Sequence, residues 1–260
     1  MRWKAITGVI LALILILFAI FRPKPQPALA PSKPPSWSLL ALGDIMLSEN
    51  RNAGRAMAKH GSQYPFAHMA SITRKATLTV ANLECPISTT GWPLPGKGIT
   101  FRAKPQALEA LTYAGIDLVS LANNHILDYN EDALLETIAF LKEQKIGSVG
   151  AGKNWQEATA PLWRTVAGQK VAFFAATEMA DLFFSYSYRR SFRATEISPG
   201  VAALELPWLE AAIRQVRSQA DLVVVSLHWG IENSSYITPQ QRTLARALID
   251  AGADLILGHH

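Results

Sequence analysis

The chain has one cysteine, Cys85, so it forms no internal disulfide and holds no thiolate-bound structural zinc. It has no Walker loop, no GxGxxG and no HExxH helix. These absences remove phosphate-cradling nucleotide loops and zincin-type proteolysis. Serine-triad chemistry fits poorly as well: Ser48 follows Asp44 but stands in no GxSxG elbow. A basic surplus is also missing from most of the chain. The formal net charge is +5, yet residues 1–36 contain Arg2, Lys4, Arg22, Lys24 and Lys33 and no acid. The remainder has 20 basic and 20 acidic residues. The overall charge is therefore no argument for nucleic acid, and none is expected as a partner.

Charge is absent altogether from residues 5–21 (AITGVILALILILFAIF), a run long enough to span a bilayer. We read residues 1–22 as a transmembrane anchor. The rival is a signal peptide cut after Ala28-Leu29-Ala30, but the apolar run is longer than a usual signal core and Pro31 would follow the cut. Arg2 and Lys4 on one side balance Arg22 and Lys24 on the other, so charge leaves the orientation open. Residues 23–36 (PKPQPALAPSKPPS) read as a proline-rich, extended linker, and residues 37–260 as the folded domain.

In that domain, short apolar runs alternate with amphipathic segments, the pattern of an α/β fold. Strands are expected at Ser38–Leu42, Leu78–Ala81, from Leu118, at Leu162–Val166, Val171–Ala175, Leu222–Leu227 and Leu255–Leu257. The fourth and fifth pair as a hairpin over Ala167-Gly168-Gln169. Helices are expected over 51–59, 66–75, Pro105–Ala114 with Gly115 as its end, and Pro207–Ser218. Another is expected to be capped by Asn130, with an apolar face of Leu134, Leu135, Ile138 and Leu141. The last is opened by Thr238-Pro239-Gln240-Gln241, a capping box.

Five of these strands run into a group able to ligate a metal or move a proton: Asp44; Glu84; Asn124 with His125; His228; His259 with His260. Four of the six histidines in the chain stand at such ends. On Leu118–Asp128 alone (LVSLANNHILD), a turn-and-cap reading and a ligand reading stand level. The other four strand ends decide for the ligand reading, because sites in open α/β sheets form where strand ends converge. Carboxylates, an amide and imidazoles suit one or two divalent ions such as Mn, Fe or Zn. Two such ions can activate water and clamp a phosphoryl group. Asn124 is the expected ligand of its stretch, His125 the expected proton donor and Asn123 its backbone support. Asp128 either begins the next turn or orients His125. Arg189, Arg190 and Arg193 form a basic patch in a loop, either solvated or open to an anion.

The order and spacing of Gly43-Asp44-Ile45-Met46-Leu47, Asn82-Leu83-Glu84, Leu121-Ala122-Asn123-Asn124-His125 with Asp128, Gly150-Ala151-Gly152, His228-Trp229-Gly230 and Gly258-His259-His260 resemble a known family. It is the bacterial capsule-synthesis CapA family (poly-γ-glutamate biosynthesis), within the calcineurin-like metallophosphoesterase superfamily. The resemblance implies a two-sheet α/β sandwich flanked by helices, on the extracytoplasmic side of a membrane anchor. It implies Asp44, Glu84, Asn124, His228, His259 and His260 as metal ligands, with Glu84 bridging, and His125 with Asp128 as catalytic residues. It implies a phosphoester or anionic-polymer substrate and other membrane subunits as partners; a non-catalytic subunit of such a complex is the alternative. Two departures stand out. Met46 occupies the place of the histidine in the superfamily's opening Asp-x-His, and the last motif, which continues in the family with Pro-His and further strands, ends here at His260, read as a truncation.

Overall fold

The structure, a computed structural model, describes residues 36–185 and 190–260. The expected anchor, the linker up to residue 35, and Arg189 lie outside the described residues. Among the described residues, no helix is long and apolar enough to cross a membrane.

Four strands, β1 (Leu39–Ile45), β2 (Leu78–Leu83), β3 (Leu118–Ser120) and β4 (Gly147–Val149), pair in that order, all parallel. A short strand β5 (Ala151–Gly152) follows them in the chain. A second sheet is built from β6 (Leu162–Val166), β7 (Gln169–Thr177), β9 (Leu222–His228) and β10 (Leu255–His259). Its order is β10-β9-β7-β6, parallel except for the β6–β7 hairpin. The remaining strand, β8 (Gly200–Val201), pairs antiparallel with β5. The helices are α1 (Asn52–His60), α2 (Ala70–Thr73), α3 (Ala107–Ala114), α4 (Asn130–Glu143), α5 (Trp155–Thr159), α6 (Leu206–Arg217) and α7 (Pro239–Ala251).

Side chains alternate across each strand, so neighbouring residues face different layers. Phe173 and Val224 pack between the sheets with Val80 and Leu118. Their neighbours Phe174, Val223 and Val225 face the helix side, against Leu209 and Ile213 of α6 and Leu248 of α7. On the opposite side, Ala81, Leu83 and Val119 meet Leu108 and Leu111 of α3 and Leu134 and Leu141 of α4. The result is helix, sheet, sheet, helix. Burial of both sheet faces explains why the parallel strands read as continuous apolar runs.

The expected strands form, with ends that differ in an instructive way. β1 continues through Gly43-Asp44 to Ile45, with a register shift between Ala41 and Asp44 that sets Asp44 opposite Asn82. β9 and β10 continue through His228 and His259, which pair with each other. Asp44, His228 and His259 are therefore rungs at the ends of ladders, whereas Glu84, Asn124 and His260 follow their strands. The segment over 66–75 divides into a 3-10 turn at Tyr64–Phe66 and the short α2. Asn130 is not the cap of α4. It is the first helical residue, at φ 71, its amide donates to Trp92 O, and Tyr129 holds the cap position. Leu135 is 36% exposed, and Ala133 and Thr137 take the inward positions beside Leu134 and Leu141. The capping box at Thr238 and Gln241 and the left-handed Gly115 after α3 form as the spacing predicts.

Candidate metal centre

Parallel strands deliver their carboxyl ends to one edge of each sheet, and the polar residues cluster there. Asp44 Oδ1 accepts a 2.7 Å hydrogen bond from Asn82 Nδ2, and Oδ2 accepts one of 3.1 Å from the His260 backbone N–H. His259 Nδ1 lies 3.4 Å from Asp44 Oδ1, close enough for an ion pair but without a directed hydrogen bond. That nitrogen is buried and has no hydrogen-bond partner.

His228 is the hub. Its buried Nε2 lies 2.9 Å from Asn124 Oδ1, 3.0 Å from His260 Nδ1 and 3.6 Å from Glu84 Oε1. A neutral imidazole nitrogen has at most one proton to offer three lone-pair atoms. Electrostatics agree with this crowding of acceptors. Burial pushes Glu84 up to about 8, and the charges of Asp44, Glu232 and Asp128 add to the shift. Burial takes His228 down to about 3, helped by the neighbouring His260 and His259, so its ring is neutral. Burial also acts to raise Asp44, but His259, Asn82 and His228 outweigh it and hold this carboxyl well below the usual range.

These residues fit a divalent cation. One ligating atom from each of Glu84, His228 and His260 lies within 4.8 Å of the other two. The orphaned His259 nitrogen, the Asp44 carboxylate and the Asn124 oxygen stand around them. Imidazole with carboxylate and amide oxygen is a donor set for Mn, Fe or Zn; His228 is neutral and Asp44 ionised as such an ion needs, and binding would displace the proton that burial keeps on Glu84. Met46 takes no part: it packs, partly buried, against the core on the helix side of the first sheet.

The stretch after β3 is braced from within. Asn123 Oδ1 accepts from the backbone N–H of His125 (3.0 Å) and Ile126 (2.9 Å), while its amide donates to Asn82 Oδ1 (3.1 Å) and Leu83 O (2.9 Å). Those bonds turn Asn124 towards His228. His125 Nδ1 lies 2.7 Å from Asp128 Oδ2, and its ring packs on Phe101 with centroids 4.3 Å apart. Burial lowers the His125 pKa, against the opposing pull of Asp128. Asp128 is fully buried. Oδ2 also accepts from Phe101 N (2.7 Å), and Oδ1 pairs with the buried ammonium of Lys97. Lys97 Nζ donates in turn to Asn124 O at 2.5 Å.

Asp44, Glu84, Asn124, His228, His259 and His260 thus come together, and His125 with Asp128 forms an adjoining pair. Asn82, Phe101 and Lys97 are additions that sequence reasoning missed. Asn82 lies two residues before Glu84, on the same strand end. Lys97 stood in a glycine- and proline-rich loop with no periodicity to mark it. The other two histidines lie elsewhere; His60 stacks on Tyr64. Cys85 is fully buried, and burial pushes its thiol up to about 12, which rules it out as a nucleophile. Arg190 pairs with Glu131, and Arg193 with Asp181 and Glu205.

Comparison with known proteins gives the same direction. The family described as bacterial capsule synthesis protein PGA_cap matches residues 38–260. The chain is 31% identical over 230 residues to the capsule biosynthesis protein CapA of Bacillus anthracis, covering 86% of this chain and 54% of that protein. It is 28% identical over 221 residues to the PGA biosynthesis protein CapA of Bacillus subtilis, covering 84% and 56%. A probable polyglutamine synthesis accessory protein of Mycobacterium tuberculosis is 31% identical over 231 residues, 84% of this chain and 59% of that protein. The chain spans little more than half the length of these relatives. A family match over residues 38–260 means that the chain belongs to the bacterial capsule synthesis PGA_cap family.

Proposed function

We propose that this is a membrane-anchored, metal-dependent hydrolase of the phosphoesterase type, working in the synthesis of a capsule or poly-γ-glutamate polymer at the cell envelope. The observation that supports it most is the convergence of Glu84, His228 and His260 within 4.8 Å, with Asp44, Asn124 and His259 around them. In this reading those six residues hold one or two divalent ions, Mn, Fe or Zn. Ions of this class, when bound, lower the pKa of water and clamp phosphoryl oxygens. The chain's own residues would do the rest. His125 donates its Nδ1–H to Asp128, so Nε2 would first take up a proton, making the ring an imidazolium, and then give that proton to the leaving oxygen. Asp128 acts as the positioning residue, because its oxygens are already committed to Lys97, Phe101 and His125. The relatives, capsule and PGA biosynthesis proteins of two Bacillus species, support the capsule and poly-γ-glutamate setting. The apolar stretch 5–21 supports an anchor, and the family resemblance supports placing the domain on the extracytoplasmic side, beside other membrane subunits of polymer synthesis.

The full chain, purified with Mn²⁺, should contain bound metal and hydrolyse a generic phosphodiester, and Glu84→Ala should abolish both. Metal binding without any turnover, together with polymer production that survives Glu84→Ala in cells, would sink the enzymatic reading. It would favour a second one, a non-catalytic subunit that keeps the fold and a structural ion. Met46 in place of a metal-ligating histidine is the feature that speaks for this alternative.

A further inference from the structure

A cleft of about 490 Å³ opens directly on Asp44, His259 and His260. Its other wall is the segment after β9, with Trp229, Ile231, Tyr236 and Ile237. Three of these are apolar side chains left in water: Ile231 is 57% exposed, Tyr236 62% and Ile237 55%. Among the described residues lining the cleft, none is lysine or arginine. The polar contributions besides the candidate metal centre are neutral: Ser234, Ser235 and Gln241. The one charged residue of the 229–237 segment is an acid, Glu232, whose field reaches Glu84 and His125.

This lining discriminates between the substrates that the proposed function leaves open. A γ-linked glutamate polymer carries one carboxylate per unit. Laid along the 229–237 wall, away from the ion held at the centre, it would meet no lysine or arginine, on a segment whose one charge is the acid Glu232, so its successive carboxylates would find nothing to offset them. An uncharged group with an apolar face would instead cover Ile231, Tyr236 and Ile237 and release their hydration water, while its hydroxyls find Ser234 and Gln241. Resting on the metal-site reading above, we infer that the cleft is the subsite for the alcohol portion of a phosphoester, and that this alcohol is uncharged and partly apolar. The polymer itself is not the group bound there.

The test uses the full chain loaded with Mn²⁺ and non-hydrolysable ligands sharing one head group, followed by calorimetry. Phenylphosphonate should bind roughly tenfold or more tighter than methylphosphonate, the scale expected for covering a few apolar carbons. γ-Linked triglutamate should bind more weakly than either. The double variant Ile231→Ser with Ile237→Ser changes two exposed side chains only. It should erase the phenyl advantage and leave methylphosphonate affinity unchanged, which also reports that metal centre and fold are intact. Equal binding of the two phosphonates overturns the inference, as does a phenyl advantage that survives in the variant. Triglutamate binding that exceeds phenylphosphonate and is lost in the variant assigns the cleft to the polymer. Binding of neither phosphonate, with or without Mn²⁺, overturns the metal-site reading and the inference with it, an outcome distinct from binding without discrimination.

Discussion

Asp128 shows how one buried carboxylate sets both stability and chemistry. It accepts from His125 and Phe101 and neutralises Lys97, with no exposure to water. Removing one partner of a buried ion pair strands the other, at a cost of about 3–5 kcal/mol. Asp128→Ala is expected to lose about that much in urea unfolding at neutral pH. Adding Lys97→Met should recover part of the loss, because the stranded ammonium is then gone. Gly150 is a second sensitive point. It sits at φ 88, and a Cβ there would come within 2.7 Å of the Cβ atoms of Ala122 and Ala175. Ala122 leads into Asn123-Asn124, so Gly150→Ala should destabilise the fold by about 1–3 kcal/mol and weaken Mn²⁺ binding, read by melting and metal titration. At this scale much of the site was legible. Asp44, Glu84 and His228 each end an apolar run, and a strand seldom ends so without reason. Lys97 was not, because its acid lies 31 residues along the chain in a different element. Nothing in a Gly-Lys-Gly triplet announces a buried partner.

Among elements, legibility followed length and local chemistry. The capping box of α7 is a purely local device, so four residues were enough to read it. Thr238→Ala should cost about 1 kcal/mol in thermal or chemical unfolding, without changing metal affinity. β4 was invisible, since Gly147-Ser148-Val149 has a single apolar side chain, Val149, and becomes a strand only because β3 offers its edge. The start of α4 misled for a related reason: Asn130 serves Trp92 of a distant loop, a tertiary contact that overrides its capping preference. The same helix fastens the 85–104 loop through Glu136, which accepts from the hydroxyl and backbone N–H of both Thr89 and Thr90. Burial would raise this carboxyl, but those four donors outweigh it and bring it from 4.5 down to about 2. The folded state therefore favours the ionised form. Its contribution is present above 4.5 and is lost as the pH falls through about 2. The melting-temperature gap between the wild type and Glu136→Gln should be constant at neutral pH and narrow as the pH is lowered across that window. A gap independent of pH would mean that the carboxylate's charge is irrelevant to the loop.

At the scale of the whole molecule, the α/β class and the strand ends could be read from periodicity, but, apart from the β6–β7 hairpin, not which strands become neighbours. That β10 lies beside β9, and β1 beside β2, comes from the tertiary pairing of parallel strands that are separated in the chain by α7 in the first case and by α1 and α2 in the second. The consequence is that the candidate centre straddles the two sheets. Asp44, Glu84 and Asn124 belong to the first, and His228, His259 and His260 to the second. An ion held by both sets ties the sheets at their open edge, where the interlayer apolar core of Val80, Phe173 and Val224 gives way to polar groups. An ion that binds only the folded state adds about 2.7 kcal/mol at a hundredfold excess over its dissociation constant. For a domain of this size that is a rise of roughly 5–10 °C in melting temperature. Saturating Mn²⁺ should produce it, and a chelator should reverse it. His228→Ala, which removes the hub from the second sheet, should abolish the increment, whereas Thr238→Ala should lower the starting temperature and keep the increment whole. An increment that persists undiminished in His228→Ala would show that the ion binds elsewhere and that the sheets close without it.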